Sequence, residues 1–203
     1  MSRIHLVRHG RSAHVHAGWI DLAGFHRWRE SYEAAAIAEG ERPPDALKAL
    51  AANAVVVASD APRAIASAKL LRDDVLVSPL LRELELHPPN LRGVKLPLAL
   101  WALTFGVKWL FRGSHATPEE EARAREAAAW LEGLEGPVVA VTHQTFRSLL
   151  AKALIARGWR SDKPPRSRHW SVWSLHYNAA PHDLPPEAEG HLRGAAEIGR
   201  RAG

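Results

Sequence analysis

The sequence predicts an α/β domain of three layers (α/β/α), in which helices cover both faces of a mostly parallel central sheet. Two continuous runs rich in β-branched residues, 54–58 and 137–142, have the composition of strands buried on both faces. Segments with helical patterns lie between the predicted strands, and this alternation is typical of a parallel sheet. In such a sheet, ligands bind at the carboxyl ends of the strands.

Five strands are predicted in order along the chain. The first mixes polar and apolar side chains and runs into a turn at Gly10. The last shows a regular alternation of polar and apolar residues. The predicted ranges are 3–8, 54–58, 75–77, 137–142 and 169–177.

Four helices are predicted between these strands. Thr117 is followed by a proline and then by Glu120, which is the pattern of an N-terminal capping box. Pro62 stands at a plausible first helical position, where the missing N–H group costs nothing. The predicted ranges are 25–38, 62–71, 118–134 and 145–156.

The composition fits one domain and favours an anionic partner. Of the 203 residues 46% are hydrophobic, which excludes a disordered chain. The absence of cysteine excludes disulfide scaffolds, thiol nucleophiles and cysteine-ligated metals. The formal net charge of +5 favours phosphate esters, nucleic acid or an acidic membrane face. We expect a domain over residues 1–180, with an apolar cap insertion around 88–112, and a polar tail over 181–203.

The expected partner is a small phosphorylated substrate. The basic residues are dispersed and no nucleic-acid-binding module is recognisable, so we expect no nucleic acid partner. The longest mainly apolar stretch, 96–107, is shorter than the about 20 residues that span a bilayer. The N-terminal residues lack the pattern of a secretory signal, so we expect a cytoplasmic protein. A monomer and a homodimer both fit the sequence.

Charged and imidazole side chains stand at the ends of several predicted strands. Arg8 and His9 precede Gly10 at the end of the first strand, and His143 stands at the end of another. Arg63 follows a third strand end, on the first turn of the next helix. Glu83 and Glu85 follow the strand over 75–77. Two arginines, two histidines and a carboxylate are suited to phosphoryl transfer.

In the order and spacing of these motifs the sequence resembles the histidine phosphatase superfamily, also called the phosphoglycerate mutase-like family. The resemblance covers roughly residues 4–177. Its anchors are Arg8-His9-Gly10, the element from Ser59 to Arg63, the step Arg82-Glu83, and His143.

The resemblance implies a role for each of these residues. His9 would attack phosphorus and form a phosphohistidine, while Arg8, Arg63 and a protonated His143 would bind the phosphoryl oxygens. Glu83 would act as general acid and then general base, with Glu85 as the alternative. The mechanism requires no metal and no cofactor. Ser12, Arg11 and Gln144 are additional candidates for phosphate or substrate binding.

Three departures from the family pattern weaken a mutase function and favour a phosphomonoester hydrolase. Arg11 stands where many members carry an acidic residue, Val15 where many carry an asparagine, and Gln144 where a glycine is usual. A phosphomutase and a catalytically weak phosphate-binding or scaffold protein are the alternatives. His14 and His16 also have a spacing that zinc ligands use, although no further ligands follow them.

The cap insertion has two open interpretations. Leu98, Trp101, Ala102, Phe105 and Trp109 would share one helical face. Residues 91–112 would then form either a hydrophobic lid or membrane-surface helix, or a buried cap helix or dimer contact.

Overall fold

The computed structural model describes residues 2–14, 18–85, 88–91, 93–101, 103, 116–165 and 167–178. The predicted tail over 181–203 lies outside the described residues. So do Ala102, Phe105 and Trp109 of the predicted apolar face, and Val15 and His16 of the loop after the first strand.

Six strands form one central sheet in the spatial order β4-β3-β6-β1-β8-β7, and two short strands, β2 and β5, form a separate pair. The pairs β4–β3, β3–β6 and β6–β1 are parallel, whereas β1–β8 and β8–β7 are antiparallel. The mostly parallel sheet is therefore confirmed. The strands are β1 (Ser2–Arg8), β2 (Trp19–Ile20), β3 (Val55–Ser59), β4 (Val75–Ser78), β5 (Leu96–Pro97), β6 (Val138–Thr142), β7 (Arg160–Ser161) and β8 (Val172–Tyr177).

Helices cover both faces of this sheet, as the sequence predicts. On one face, α4 and α5 pack against Ile4 and Leu6 of β1. On the other face, α2 and α3 pack against Val7 of the same strand, because successive side chains of a strand point to opposite faces. The helices are α1 (Leu22–Ala34), α2 (Asp45–Ala52), α3 (Pro62–Lys69), α4 (Pro118–Glu132) and α5 (Gln144–Ala156), with a 3-10 turn at Pro79–Leu81.

Helix capping decides where two of these helices begin. The capping box at α4 is present: Thr117 Oγ1 accepts from Glu120 N at 3.2 Å, and Glu120 Oε2 accepts from Thr117 N at 2.8 Å. At α1 the side chain of Asp21 accepts from Gly24 N at 2.7 Å, so this helix begins at Leu22 rather than at the predicted residue 25. Helix α2 is not among the predicted helices; it is short and buries only Leu47 and Ala51.

The last strand is shorter than the sequence suggests. The predicted range is 169–177, but the strand begins at Val172, because Trp170 has a left-handed backbone with φ of 61°. The strand runs antiparallel to β1, with Val172 opposite Val7. Residues 167–171 therefore lie beside the carboxyl end of β1, where His9 is located.

The described part of the cap insertion packs against β2 and α1. Residues 96–97 pair with residues 19–20. The Trp101 ring is buried 5.3 Å from that of Phe25, and its Nε1 donates to the carbonyl of Ile20 at 2.9 Å. Leu103 is 58% exposed. Within the described part of the chain, no helix combines the length and the apolar character needed to cross a membrane.

Candidate active site

The ends of three adjacent parallel strands place the predicted histidines and Arg63 next to one another. In the register of β1 and β6, Arg8 lies opposite Thr142, so the following residues, His9 and His143, are neighbours. Their rings are 5.0 Å apart between centroids, with a T-shaped arrangement. Strand β3 lies on the other side of β6 and leads into α3, which carries Arg63 on its first turn.

His9 is buried, and its protonation state follows from its hydrogen bond. Its Nδ1 lies 2.7 Å from the carbonyl oxygen of Gly10, which can only accept, so Nδ1 carries the proton. Burial lowers the pKa of His9 to about 3; the charges of Arg63 and Arg8 act in the same direction, and the hydrogen bond to Gly10 opposes them. The ring is therefore neutral near neutral pH, and its Nε2 carries a free lone pair.

His143 is also neutral, in the opposite tautomer. Its Nδ1 lies 3.3 Å from Nη2 of Arg63, a nitrogen that can only donate. Its Nε2 then carries the proton and donates to Ser59 Oγ at 2.9 Å. Burial, together with the neighbouring His9 and Arg63, holds the pKa of His143 well below its usual range. The protonated His143 that the resemblance implies belongs to the site with a bound phosphoryl group and stays a prediction.

Arg63 is fully buried and held on several sides. Its Nη1 donates to the carbonyl of Tyr32 at 3.1 Å, and its Cζ lies 4.4 Å from the centre of the Tyr32 ring. Its Nη2 donates to both carboxylate oxygens of Glu33, at 3.1 and 3.2 Å. Its Nε is buried and has no hydrogen-bond partner among the described residues. Such a donor is available to an anion that enters the site.

Residues 167–171 hold Arg8 and His9 from the side of β8. The carbonyl of Arg8 accepts from Trp170 N at 3.0 Å, and Arg8 N donates to the carbonyl of Ser171 at 3.2 Å. The guanidinium of Arg8 reaches the carbonyl of Ser167 at 3.2 Å. His169 Nδ1 donates to the carbonyl of His9 at 3.0 Å, and the two rings are 5.5 Å apart. This segment thus fixes the backbone that carries the candidate nucleophile.

Glu83 binds the N-terminus of α5, directly beside His143. Its Oε1 accepts from Phe146 N at 2.7 Å and its Oε2 from Thr145 N at 3.1 Å. Burial raises the pKa of Glu83, and the backbone hydrogen bonds oppose this shift only in part. The free N–H groups and the dipole at the start of a helix favour an anion. In the structure the side-chain carboxyl group of Glu83 occupies this position.

A cavity of about 480 Å³ opens next to His143. Glu83 and Glu85 both line it, so both candidate acids face the same space. Helix α1 forms another wall, to which the stacked rings of Trp28 and Tyr32 contribute. The complete lining is Trp28, Arg29, Tyr32, Glu33, Asp60, Ala61, Pro62, Arg82, Glu83, Leu84, Glu85, His143 and Thr145.

Three further predicted binding residues have other contacts. The exposed side chain of Arg11 forms an ion pair with Glu41 at 3.4 Å. Ser12 Oγ accepts from His14 N at 3.2 Å. Gln144 Oε1 accepts from Arg147 at 2.9 Å. None of the three lines the cavity, and neither do Arg8, His9 and Arg63; of the predicted site residues, Glu83 and His143 line it. The binding roles of Arg11, Ser12 and Gln144 stay predictions.

Arg147 is a buried residue of this region that the sequence analysis missed. Its Nη1 donates to the carbonyl of Ser171 at 2.9 Å, and its Nε has no partner among the described residues. Burial, and next the charge of Arg8, lower the pKa of Arg147 to about 10. Its position in the first turn of α5, four residues after His143, is a signal that could have identified it.

Among the described residues, no three histidine, aspartate or glutamate side chains come together as a possible metal site. His14 is described and His16 is not, so the zinc alternative stays a prediction.

No family model matches the chain, and no curated protein matches it. Several solved structures are similar to it, including these three. The protein TTHB049 from Thermus thermophilus is 22% identical with a TM-score of 0.50, over 85% of this chain and 92% of that one. A protein described as mycobacterial hydrolase 2 is 21% identical with a TM-score of 0.50, over 97% of each chain. The mycobacterial glucosyl-3-phosphoglycerate phosphatase Rv2419c is 23% identical with a TM-score of 0.47, over 76% of this chain and 79% of that one.

The first two similarities extend over most of each chain, at identities below a quarter. Similarity at this level establishes the fold, whereas the reaction has to be argued from the residues of the site. The chain therefore has the three-layer α/β fold that its sequence predicts.

Proposed function

We propose that this chain is a phosphomonoester hydrolase that acts through a phosphohistidine at His9. The observation that carries the proposal is the hydrogen bond between His9 Nδ1 and the carbonyl of Gly10. It leaves the Nε2 lone pair free on a neutral imidazole, which is the form that can attack phosphorus. Arg63, which lies beside His143 at the same strand ends, supplies charge for the phosphoryl oxygens.

In the first step, His9 Nε2 forms a bond to phosphorus while the bond from phosphorus to the ester oxygen breaks. Arg8 and Arg63 stabilise the charge on the non-bridging oxygens. A phosphoryl dianion in contact with His143 favours the protonated imidazole. We therefore expect His143 to take up a proton at Nδ1 when the substrate binds, as Nη2 of Arg63 then donates to the phosphoryl oxygens instead of to Nδ1.

Glu83 supplies the proton that the leaving oxygen needs. Its raised pKa favours the protonated carboxyl in which an acid of this kind begins the reaction. Its Oε2 makes a single hydrogen bond of 3.1 Å, so this oxygen has room for the proton. In the second step the carboxylate of Glu83 takes a proton from water, the water oxygen bonds to phosphorus, and the bond to His9 breaks. Inorganic phosphate leaves and both residues return to their starting states.

The size of the cavity favours a small organic phosphate ester as substrate. Its volume of about 480 Å³ lies within the range of about 300–1,000 Å³ that is usual for sites of small organic ligands, which is more than one phosphoryl group needs. The remaining space next to Glu83 would hold the leaving group.

Hydrolysis of an aryl phosphate by the wild type and by His9→Ala tests this function. We expect the wild type to release phosphate and the variant to lose this activity. His26→Ala, which removes an exposed histidine of α1, is the matched control and should keep wild-type activity. Equal activity of His9→Ala and the wild type would contradict the proposal.

A further inference from the structure

Glu33 places an anion at the candidate phosphate site. Its Oε1 and Oε2 both accept from Nη2 of Arg63, at 3.1 and 3.2 Å. The same nitrogen faces His143 at 3.3 Å. Glu33 also lines the cavity, so its carboxylate lies where the proposed phosphoryl group and Arg63 would meet.

Arg63 keeps its orientation through contacts other than Glu33. The Tyr32 carbonyl accepts from Nη1 at 3.1 Å, and the Tyr32 ring covers the guanidinium. The Glu33 side chain is 52% exposed and stands on the last turn of α1. A rotation of its side chain would move the carboxylate into water without displacing the helix or Arg63.

We propose that Glu33 and the phosphoryl group alternate on Arg63. This inference rests on the proposed function and adds a residue that sets how tightly the site binds phosphate. Arg63 Nη2 forms charge-assisted hydrogen bonds with either anion, and two anions at one nitrogen repel each other. Phosphate can bind only to those molecules in which Glu33 has left Arg63. The apparent affinity of the site for phosphate is therefore lowered in proportion to the fraction of such molecules.

The alternation has a consequence for the release of inorganic phosphate. Product release limits the turnover of many enzymes. When phosphate leaves, Glu33 returns to Arg63 and supplies the counterion that this buried cation would otherwise lack. The carboxylate thereby opposes the rebinding of phosphate and lowers product inhibition.

Calorimetric titration with inorganic phosphate tests the inference independently of turnover. We expect Glu33→Gln to bind phosphate about five-fold more tightly than the wild type, which is about 1 kcal/mol at 1.4 kcal/mol per factor of ten. Glu33→Asp keeps the charge but shortens the side chain, and should also tighten binding. Glu30→Gln removes an equal charge from an exposed position of α1 outside the cavity lining, and should bind like the wild type.

The outcomes separate this inference from the proposed function. Wild-type protein that binds phosphate, with Glu33→Gln binding equally or more weakly, would overturn the alternation alone. Equal tightening by Glu30→Gln would also overturn it, because the effect would then come from net charge. Failure of all four proteins to bind phosphate would overturn the proposed function and this inference together. In steady-state assays, the inhibition constant of phosphate and KM should fall together in Glu33→Gln.

Discussion

Nη2 of Arg63 lies 3.3 Å from Nδ1 of His143, and this contact assigns the proton of the second histidine to Nε2. His9 carries its proton on Nδ1, because that atom faces the carbonyl of Gly10. The two neutral rings, 5.0 Å apart, thus have different tautomers and different tasks. In the proposed reaction His9 would offer a lone pair to phosphorus, whereas His143 is held by Arg63 and Ser59 at the wall of the cavity.

The low pKa of His9 predicts how stability depends on pH. An unfolded histidine has a pKa of about 6.5, and that of His9 in the folded protein is about 3. Between these values the unfolded chain binds the extra proton, so the free energy of unfolding rises with pH. This contribution is complete above about pH 6.5 and is lost as the pH falls towards about 3. The lowered pKa of His143 likewise makes the free energy of unfolding rise with pH.

We therefore expect His9→Asn to reduce the slope of the unfolding free energy against pH by up to about 1.4 kcal/mol per pH unit, which corresponds to one proton. Urea unfolding at about pH 7, 6 and 5 measures this slope. His26→Asn removes an exposed histidine and should keep the wild-type slope. A wild-type slope in His9→Asn would show that His9 is not the neutral group described above.

Glu83 and Glu85 can be distinguished by the leaving group. We expect Glu83→Gln to slow hydrolysis of an alkyl phosphate by about 10²- to 10⁴-fold, the usual contribution of a general acid. A nitrophenyl phosphate should be affected much less, because its leaving group needs little protonation. Steady-state rates with both esters provide the measurement. Glu85→Gln is the matched variant, and the reverse pattern would assign the acid to Glu85.

His169 is expected to position His9 through its hydrogen bond to the His9 carbonyl. Loss of one hydrogen bond changes a free energy by about 0.5–1.5 kcal/mol. His169→Ala should therefore lower kcat by about two- to twelve-fold with little change in KM. His169→Asn places an amide donor near the position of Nδ1 and should restore most of kcat. Equal losses in both variants would instead indicate that the imidazole takes part in proton transfer.

Gly10 is required because Trp170 packs directly against it. A Cβ at this position would lie 2.6 Å from Cζ2 of Trp170 and 3.0 Å from Oε2 of Glu41. We expect Gly10→Ala to destabilise the protein by about 1–3 kcal/mol, the usual cost of overpacking. At Gly133 a Cβ would meet only carbonyl oxygens at 3.5 Å or more, so Gly133→Ala is the control. Thermal unfolding of both variants tests this, and equal stability would contradict the packing.

The fold and the strand-end residues could be predicted because their signals are local. The β-branched runs identify β3 and β6, and the capping box identifies the start of α4. The position of the Glu83 carboxylate on α5 could not be predicted, because Glu83 and Phe146 are 63 residues apart. The pair of Arg63 with Glu33 also joins separate elements.

The contacts around His9 could not be predicted either, because they join residues that are far apart in the sequence. His169 is 160 residues away in the chain and reaches His9 only because β8 pairs with β1. The sequence places Trp170 in a regular strand, because a left-handed backbone conformation does not change the alternation of polar and apolar residues. Neutral His143 depends on burial and on the neighbouring Arg63, both of which arise from tertiary packing.

The most direct measurement is the trapping of phosphate on the protein during turnover of an aryl phosphate. The quenched wild-type protein should carry phosphate that is labile in acid and stable in base, and peptide mapping should locate it on His9. Folded His9→Ala should carry none. Trapped phosphate on another residue, or turnover by the wild type without any phosphoprotein that survives a basic quench, would contradict the phosphohistidine mechanism.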